Sequence, residues 1–565
     1  MARDPDEGEA FVFDLVDDDA VGLDVPTRPD GADGAYGRAG ADGDEAWSGE
    51  PPVPARPGWT WRGAAPVAAV LAIVLGTGLA VDGARDGARM ERMRDVPGGV
   101  TDLASPLDQV WAWSGAVDVG EGTTDVAVLG DELVFESKGE LVALDPATGE
   151  ETWTIPLGED PECGPVVSPV WEDPRTPSLV CLEGRGASRA AMVVGPGGAA
   201  SAPRVLDAAE SREHGSPHTG PDGTVLRAMR VGPVSAVDRD TRCNGAGECT
   251  GIIRTGRDLV LRAEDAVTGE VRWSVTIPFR ATPALQCTTT YGAEWGGSEN
   301  RVDLNGQLAP DAFGARVWAD LINLQGCGVQ SAVTPDGVLL GAAFPPGLSF
   351  VDGLGSGGYL GTTWSDVPRT TLYDDAGDVV GEISGYVIPA RSTDEAGAAT
   401  LIAIDEPRRR MTAHEADGTV RWDITLQSGG QEFLAQVGET VVITSGAGTV
   451  RGLDLATGED KWLWDGSGAE SGSDGGYFGS ANVAQAFTDG ELVLLLNVVE
   501  SGGARGMVVL DAGSGEVVWH QAGGGATTAF DPRNGDVVER GVSGDLVAVD
   551  GNLLEVTSTG VRGLG

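Results

Sequence analysis

The sequence predicts an all-β chain built from small hairpin units that stack on one another and close into a ring. Three observations carry this. A strand–turn–strand unit, complete at residues 139–153, has alternating apolar residues, a turn from Asp145 to Gly149 and a second strand entering at Trp153; it returns at the same spacing as Asp265, Gly269 and Trp273, as Asp454, Gly458 and Trp462, and as Asp511, Gly515 and Trp519. The composition suits short strands and tight turns with a few large packing anchors, with 87 Gly against 15 Trp and 11 Phe. The last strands, Asp545–Asp550 and Leu553–Thr557, lead to a segment that stops before any turn or Trp, while an unpaired strand, Gln109–Trp113, stands at the other end of the repeat region. Each unit is too small to bury its own apolar face, so the units must stack, and closing the stack removes its exposed edges.

Taken in order, residues 1–60 hold 15 Asp or Glu against 4 Arg, with Gly, Pro and Ala in most gaps, and are expected to be a disordered cytoplasmic tail. One apolar island, Phe11 to Val16, interrupts it. Residues 61–82 follow. Their uncharged stretch Gly63–Val81 would span about 28 Å as a helix, near the ~30 Å of a bilayer core, and Trp59 and Trp61 stand at its start. A single-pass membrane helix is therefore expected, with the lipid bilayer as a partner.

Orientation carries a conflict. Arg85, Arg89, Arg92 and Arg94 follow the span and Arg56 and Arg62 precede it, which favours a cytoplasmic C-terminal side. The cysteines favour the reverse, with the tail cytoplasmic and the repeat region extracytoplasmic, and that orientation is preferred. Residues 83–104 are expected to form a charged juxtamembrane stalk, broken at Pro97-Gly98-Gly99.

From residue 105 to 565 only strand signals remain. A fifth marked unit keeps Gly418 and Trp422 but has His414 where Asp is expected; worn copies stand at Arg204–Asp207 and Leu372–Val380, and the region around Ala315–Gln325 must hold a unit whose signature has been lost. Strand ends near 145, 207, 265, 320, 374, 414, 454 and 511 give eight units, at intervals of about 40–60 residues that suit four-stranded propeller blades. The expected architecture is an eight-bladed β-propeller, or a seven-bladed one if a worn unit is discounted.

The repeated residues have structural reasons. Asp accepts backbone N–H bonds in the turn, Gly takes the positive φ, and Thr148, Thr268 and Thr457 add a hydroxyl bond. The Trp is expected to wedge between adjacent blades with its indole N–H on a carbonyl. Six cysteines, at 163, 181, 243, 249, 287 and 327, suit disulfides in an oxidising compartment. Pairing Cys163 with Cys181, Cys243 with Cys249 and Cys287 with Cys327 is the simplest of the fifteen connectivities.

The charge of −48 excludes a nucleic-acid surface, which needs a positive stripe. No G-x-S-x-G, H-E-x-x-H or phosphate-loop motif occurs. Asp238, Asp240, Asn244 and Glu248 gather oxygen ligands and are weak calcium candidates, although the loop lacks the central Gly and final Glu of a calcium-binding hand. His214 and His218 flank a Gly-Ser-Pro turn and are expected to face solvent.

The Leu-x-Ala-Leu-Asp-x-x-Thr-Gly-x-x-x-Trp pattern, complete at 141–153 and kept from its Leu-Asp onward at 453–462, resembles the quinoprotein-type (PQQ-like) β-propeller repeat. That family includes dehydrogenases holding pyrroloquinoline quinone over calcium, and non-enzymatic scaffold propellers. The enzymatic branch carries a vicinal Cys-Cys pair; here Cys243 and Cys249 are six apart, and no calcium ligands or catalytic Asp of that branch can be placed. The resemblance implies the fold, and these departures count against oxidoreductase activity, so a non-enzymatic member without a cofactor is expected. The expected function is a platform for an unknown protein or cell-envelope ligand, with insertions around 155–200, 208–250 and 288–315 as its variable surface. The alternatives are a quinone- and calcium-dependent dehydrogenase, and a sensor coupling the propeller to the tail.

Overall fold

The computed structural model describes residues 85–565 apart from short internal stretches, the longest being 292–300, 342–347, 466–482, 498–505 and 531–536. Among the described residues the chain forms nine blade sheets of a β-propeller, six of four strands and three that add a short fifth strand to a four-stranded antiparallel core. Blade 1 runs through Ala127–Leu129, Glu132–Ser137, Glu140–Leu144 and Glu151–Pro156, from buried inner strand to exposed outer strand. Blades 2 to 8 follow within 162–205, 217–277, 313–340, 348–384, 386–425, 433–464 and 483–521. Blade 9 takes Asp545–Val549, Asn552–Thr557 and Gly560–Leu564 from the end of the chain and its outer strand, Gln109–Ser114, from the beginning. Trp113 pairs with Val561, and the Asp108 and Gly565 backbones exchange both hydrogen bonds.

The ring therefore has nine blades, which corrects the expected eight or seven. The eight counted units are blades 1 to 8. Blade 9 escapes a count based on turns because the chain ends stand where its last turn would be.

Nine apolar clusters join the blades, each shared by two neighbouring sheets, and together they run round the ring without a gap. The seams repeat one geometry. Trp462 of blade 7 lies on the turn of blade 8, its Nε1–H donating to the Ala512 carbonyl at 2.9 Å; a Cβ on Gly515 would stand 2.5 Å from its ring. Gly515 also has φ +73°, so close approach and backbone both require glycine there. Trp111, Trp273 and Trp422 donate likewise to Pro146, Pro335 and Leu455 in the next blade. Trp153 lies on Gly198 of blade 2 but donates to Glu132.

Where the Trp is lost, something else fills its place. Arg204 of blade 2 donates from Nε to the Ala266 carbonyl at 2.8 Å and lies on Gly269. At the closing seam Trp519 donates to the Leu103 carbonyl at 2.7 Å, so the N-terminal segment stands in for the missing turn.

The turns are tied by their Asp residues. Asp145 Oδ1 accepts from the Ala147 and Thr148 N–H groups and the Thr148 hydroxyl, and Asp454 repeats the set with Ala456 and Thr457. His414, in the Asp position of blade 6, is buried, with its ring nitrogens 2.9 Å from the Gly418 carbonyl and 2.8 Å from the Thr412 hydroxyl. Asp207, read as a worn Asp turn, instead caps a short helix, Ala208–His214, accepting from the Ala209 N–H. That helix covers Arg227, a fully buried guanidinium whose Nε lies 3.2 Å from the fully buried Glu264 carboxylate. His218, expected at the surface, is buried with Nδ1 3.4 Å from Glu162.

The expected membrane helix, with the bilayer partnership and single-pass location that rested on it, is not supported. Among the described residues no helix is long and apolar enough to cross a membrane. The stretch Gly63–Val81 and the tail lie outside the described residues.

The seam geometry makes a direct prediction. Trp462→Ala should cost roughly 3–5 kcal/mol in denaturant unfolding, and Trp462→Phe, which keeps the ring but loses the N–H, should cost less. Equal losses for the two would remove packing from the account.

Candidate functional site

A cavity of about 630 Å³ lies on the ring axis, lined by the inner strands of several blades, among them Val128, Val387, Phe433, Phe487 and Val547. In each blade the first-to-second and third-to-fourth turns lie at one end of the axis, and the second-to-third turns and blade-to-blade crossings at the other. Three acids follow directly from innermost strands at the first end: Asp131 after Ala127–Leu129, Asp320 after Phe313–Val317 and Asp550 after Asp545–Val549. Asp352 is the penultimate residue of the inner strand Leu348–Gly353, and all four line the cavity.

The N-terminal segment crosses this mouth. A helix over 85–95 buries Met93 completely, and Arg89 pairs with Glu491 at 2.8 Å. The chain then binds blade after blade: Thr393 N–H to Pro97, Thr488 N–H to Gly98, Val100 N–H to Thr488 and Thr101 N–H to Gly551. Gly98 (φ +63°) is pressed so closely that a Cβ would meet Ser392 at 2.9 Å. Val100, Leu103 and Leu107 are buried, and the Leu103 N–H donates to Asp489. Residues 96–104, expected in a stalk, are thus part of the propeller.

Charge at the mouth is uneven. On the blade 9 side Arg94 lies 3.6 Å from Asp550. Arg175 pairs with Asp173 at 2.6 Å and donates to the Asp95 carbonyl. On the blade 4 and 5 side, Asp320 and Asp352 form no ion pair among the described residues. Asp320 lies against the next strand so closely that a Cβ on Gly353 would stand 1.9 Å from its Oδ2. Asp320 is exposed and Asp352 half-buried along the cavity wall, and desolvation is the main force on both carboxyls. It pushes Asp352 up to about 6, with the Asp320 charge adding and Arg316 opposing. Asp320 is raised as well, by desolvation and then by Asp173. Trp318 stands beside Asp320 in the same turn, and the Arg316 guanidinium lies 5.4 Å from its ring centre.

None of these mouth residues is singled out by the sequence motifs. The signal that could find them is the recurrence of a lone Asp just past an inner strand. The repeat residues Asp145, Asp265, Asp454 and Asp511 lie in the third-to-fourth turns, around rather than in the mouth. The three cysteine pairs Cys163–Cys181, Cys243–Cys249 and Cys287–Cys327 are disulfides. Of the calcium candidates, Asp238, Asp240 and Glu248 lie outside the described residues, so the set is not brought together for inspection; Asn244 follows the Arg242–Cys243 strand. Among the described residues no group of three or more His, Cys, Asp or Glu side chains is placed to hold a metal ion.

The fold is that of an all-β propeller. A family model described as outer membrane protein assembly factor BamB matches residues 389–560, which is blades 6 to 9. No curated protein matches the chain. Among solved structures the chain is similar to BamB from Moraxella catarrhalis, at 12% identity over 81% of this chain and 99% of that one, with a TM-score of 0.34. It is also similar to the computationally designed Ika8 protein, at 10% identity over 81% and 98% with a TM-score of 0.32. A third is the quinohemoprotein alcohol dehydrogenase from Comamonas testosteroni, at 11% identity over 81% and 76% with a TM-score of 0.31.

The raised carboxyl sets a pH dependence. Asp352 holds its proton more tightly folded than unfolded, where the pKa is about 3.9, so folding stability should fall as pH rises from about 4 to 6. Asp352→Asn should flatten that part of the curve and raise the melting temperature at pH 7–8. Parallel melting curves for parent and variant across pH 4–8 would count against the enclosure of this carboxyl.

Proposed function

We propose that this propeller is a binding platform for a protein or cell-envelope ligand, and that its recognition surface is a disulfide-stapled module on blades 3 and 4. The observation that carries the reading is the fusion of two insertions into one small body. Residues 232–257, between the second and third strands of blade 3, meet residues 278–312, between blades 3 and 4. Ile252–Ile253 pairs with Thr282–Pro283, and Cys249, Ile253, Ala284, Cys287 and Cys327 form an apolar cluster of their own. Cys243–Cys249 closes one insertion and Cys287–Cys327 ties the other to blade 4.

Arg230 clamps the base. It donates to the carbonyls of Arg257, Ala312 and Cys327, and burial lowers its pKa to about 10, still protonated at neutral pH. A module pinned this way presents its outer side chains with little ordering cost on binding. Those side chains include Val234, Ile252 and Leu285, exposed by 72%, 43% and 55%. Both insertions belong to the end of the axis opposite the N-terminal segment, where nothing in the chain's own fold covers them among the described residues. The family matched over 389–560 is described as an assembly factor, and that description agrees with a binding role.

Affinity capture from an envelope extract with the purified propeller, beside an Ile252→Asp/Leu285→Asp variant, tests the reading. The variant should fold normally, because both side chains are exposed, and should lose the captured partner. The same partners in the same yield on both would sink the assignment of this module.

A further inference from the structure

The mouth of the central cavity carries a second site, chemically different from the apolar module and at the other end of the axis. We infer that the blade 4 and 5 side of this mouth binds one guanidinium or ammonium head on an aliphatic stem. The first support is the pair Asp320 and Asp352. They converge on the cavity from the ends of two adjacent inner strands, with the Asp320 carboxylate against Gly353. Folding brings two carboxyls together with no cation within ion-pair distance of either among the described residues. Asp352 is half-buried on the cavity wall. Like charges held this way raise the energy of the native state, and a cation seated between them would relieve it.

The second support is independent of that pair. The protein already seats guanidinium groups elsewhere in the same mouth, Arg94 at Asp550 and Arg175 at Asp173. Arg94 is delivered by the N-terminal helix, on a stem that enters from the rim. The vacant half offers the same carboxylate chemistry with an added aromatic wall. Trp318 stands beside Asp320 and already accepts the Arg316 guanidinium on its ring, while Leu321, Val351 and Leu354 supply apolar surface for a stem. Among the described residues Arg316 is the cation that acts on Asp352, and its effect there is smaller than the desolvation and the Asp320 charge. The cavity, about 630 Å³ in all, has room for an arginine or lysine side chain with its flanking backbone, or for a linear polyamine.

The test is calorimetric titration of the full chain with acetyl-Gly-Arg-Gly-amide and, separately, with spermidine, at low ionic strength. The parent should bind one equivalent of at least one probe. Asp320→Asn/Asp352→Asn should weaken that binding at least about 10-fold. The double variant removes two mutually repelling carboxyls, so its melting temperature at pH 7 should equal or exceed the parent's. With a net charge of −48, diffuse cation binding is the competing explanation. Glu140→Gln/Glu516→Gln, on exposed third-strand and turn positions, controls for it and should change the affinity less than about 2-fold. The probe that binds more tightly identifies the source of the cation, a partner's basic side chain or a free polyamine. Binding of neither probe, or equal losses in both double variants, overturns the inference. Because the apolar module is untouched, loss of the Ile252 and Leu285 partner and loss of cation binding are separable results.

Discussion

The structure depends on one contact made repeatedly: a large side chain on an outer strand packs on a glycine in the next blade's turn and donates a hydrogen bond to a carbonyl in that turn. Burial of an indole supplies the stabilisation, and the donated N–H fixes the angle at which neighbouring sheets meet. Gly515 and Gly458 are needed twice over, for their positive φ and for the ring that covers them. The contact tolerates exchange of chemistry while its geometry holds. Arg204 meets both requirements with a guanidinium, lying on Gly269 and donating to Ala266. A planar cationic group replaces a planar aromatic one because both offer a flat face and an N–H at the edge.

Much of this was legible in the sequence because the seam is local. Asp, Gly and Trp of one unit lie within nine residues of each other, so Asp454, Gly458 and Trp462 declare a blade without knowledge of the rest. What was not legible is what folding assembles from distant parts. Blade 9 has no marker of its own, since its outer strand lies some 450 positions away in the chain and Leu103 supplies its turn carbonyl. Asp207 looked like a worn repeat because a helix cap and an Asp turn use the same residue for the same reason, acceptance of backbone N–H groups. The acidic mouth escaped notice for another reason. Asp131, Asp320, Asp352 and Asp550 come from four blades, and an acid past a strand end is ordinary turn chemistry until the ring sets those ends side by side.

Blade topology separates the molecule into two ends that do different work. Turns bearing the repeat signature and the mouth acids belong to one end, where length is constrained because each turn must meet the wedge of its neighbour. The other end carries no such constraint, and there blades 3 and 4 accept long insertions. Those insertions would cost entropy if left loose; Cys243–Cys249 and Cys287–Cys327 restrict the unfolded chain and hold them together.

Closure and the mouth are consequences of a single chain path. To deliver Gln109–Ser114 as the last outer strand, the N-terminal segment must cross the signature end of the ring, where Leu103 meets Trp519 and Val100 pairs with Thr488. That crossing fixes Pro97 and Gly98 over blades 6 and 8 and sets Arg94 against Asp550. Closing the ring therefore also brings a guanidinium to the blade 9 side of the mouth. The course of residues 96–104 runs over blades 6, 8 and 9 and not over blades 4 and 5, where among the described residues Asp320 and Asp352 line the cavity with no ion pair. The asymmetry that makes this mouth a candidate site is thus built from the same residues that keep the propeller shut.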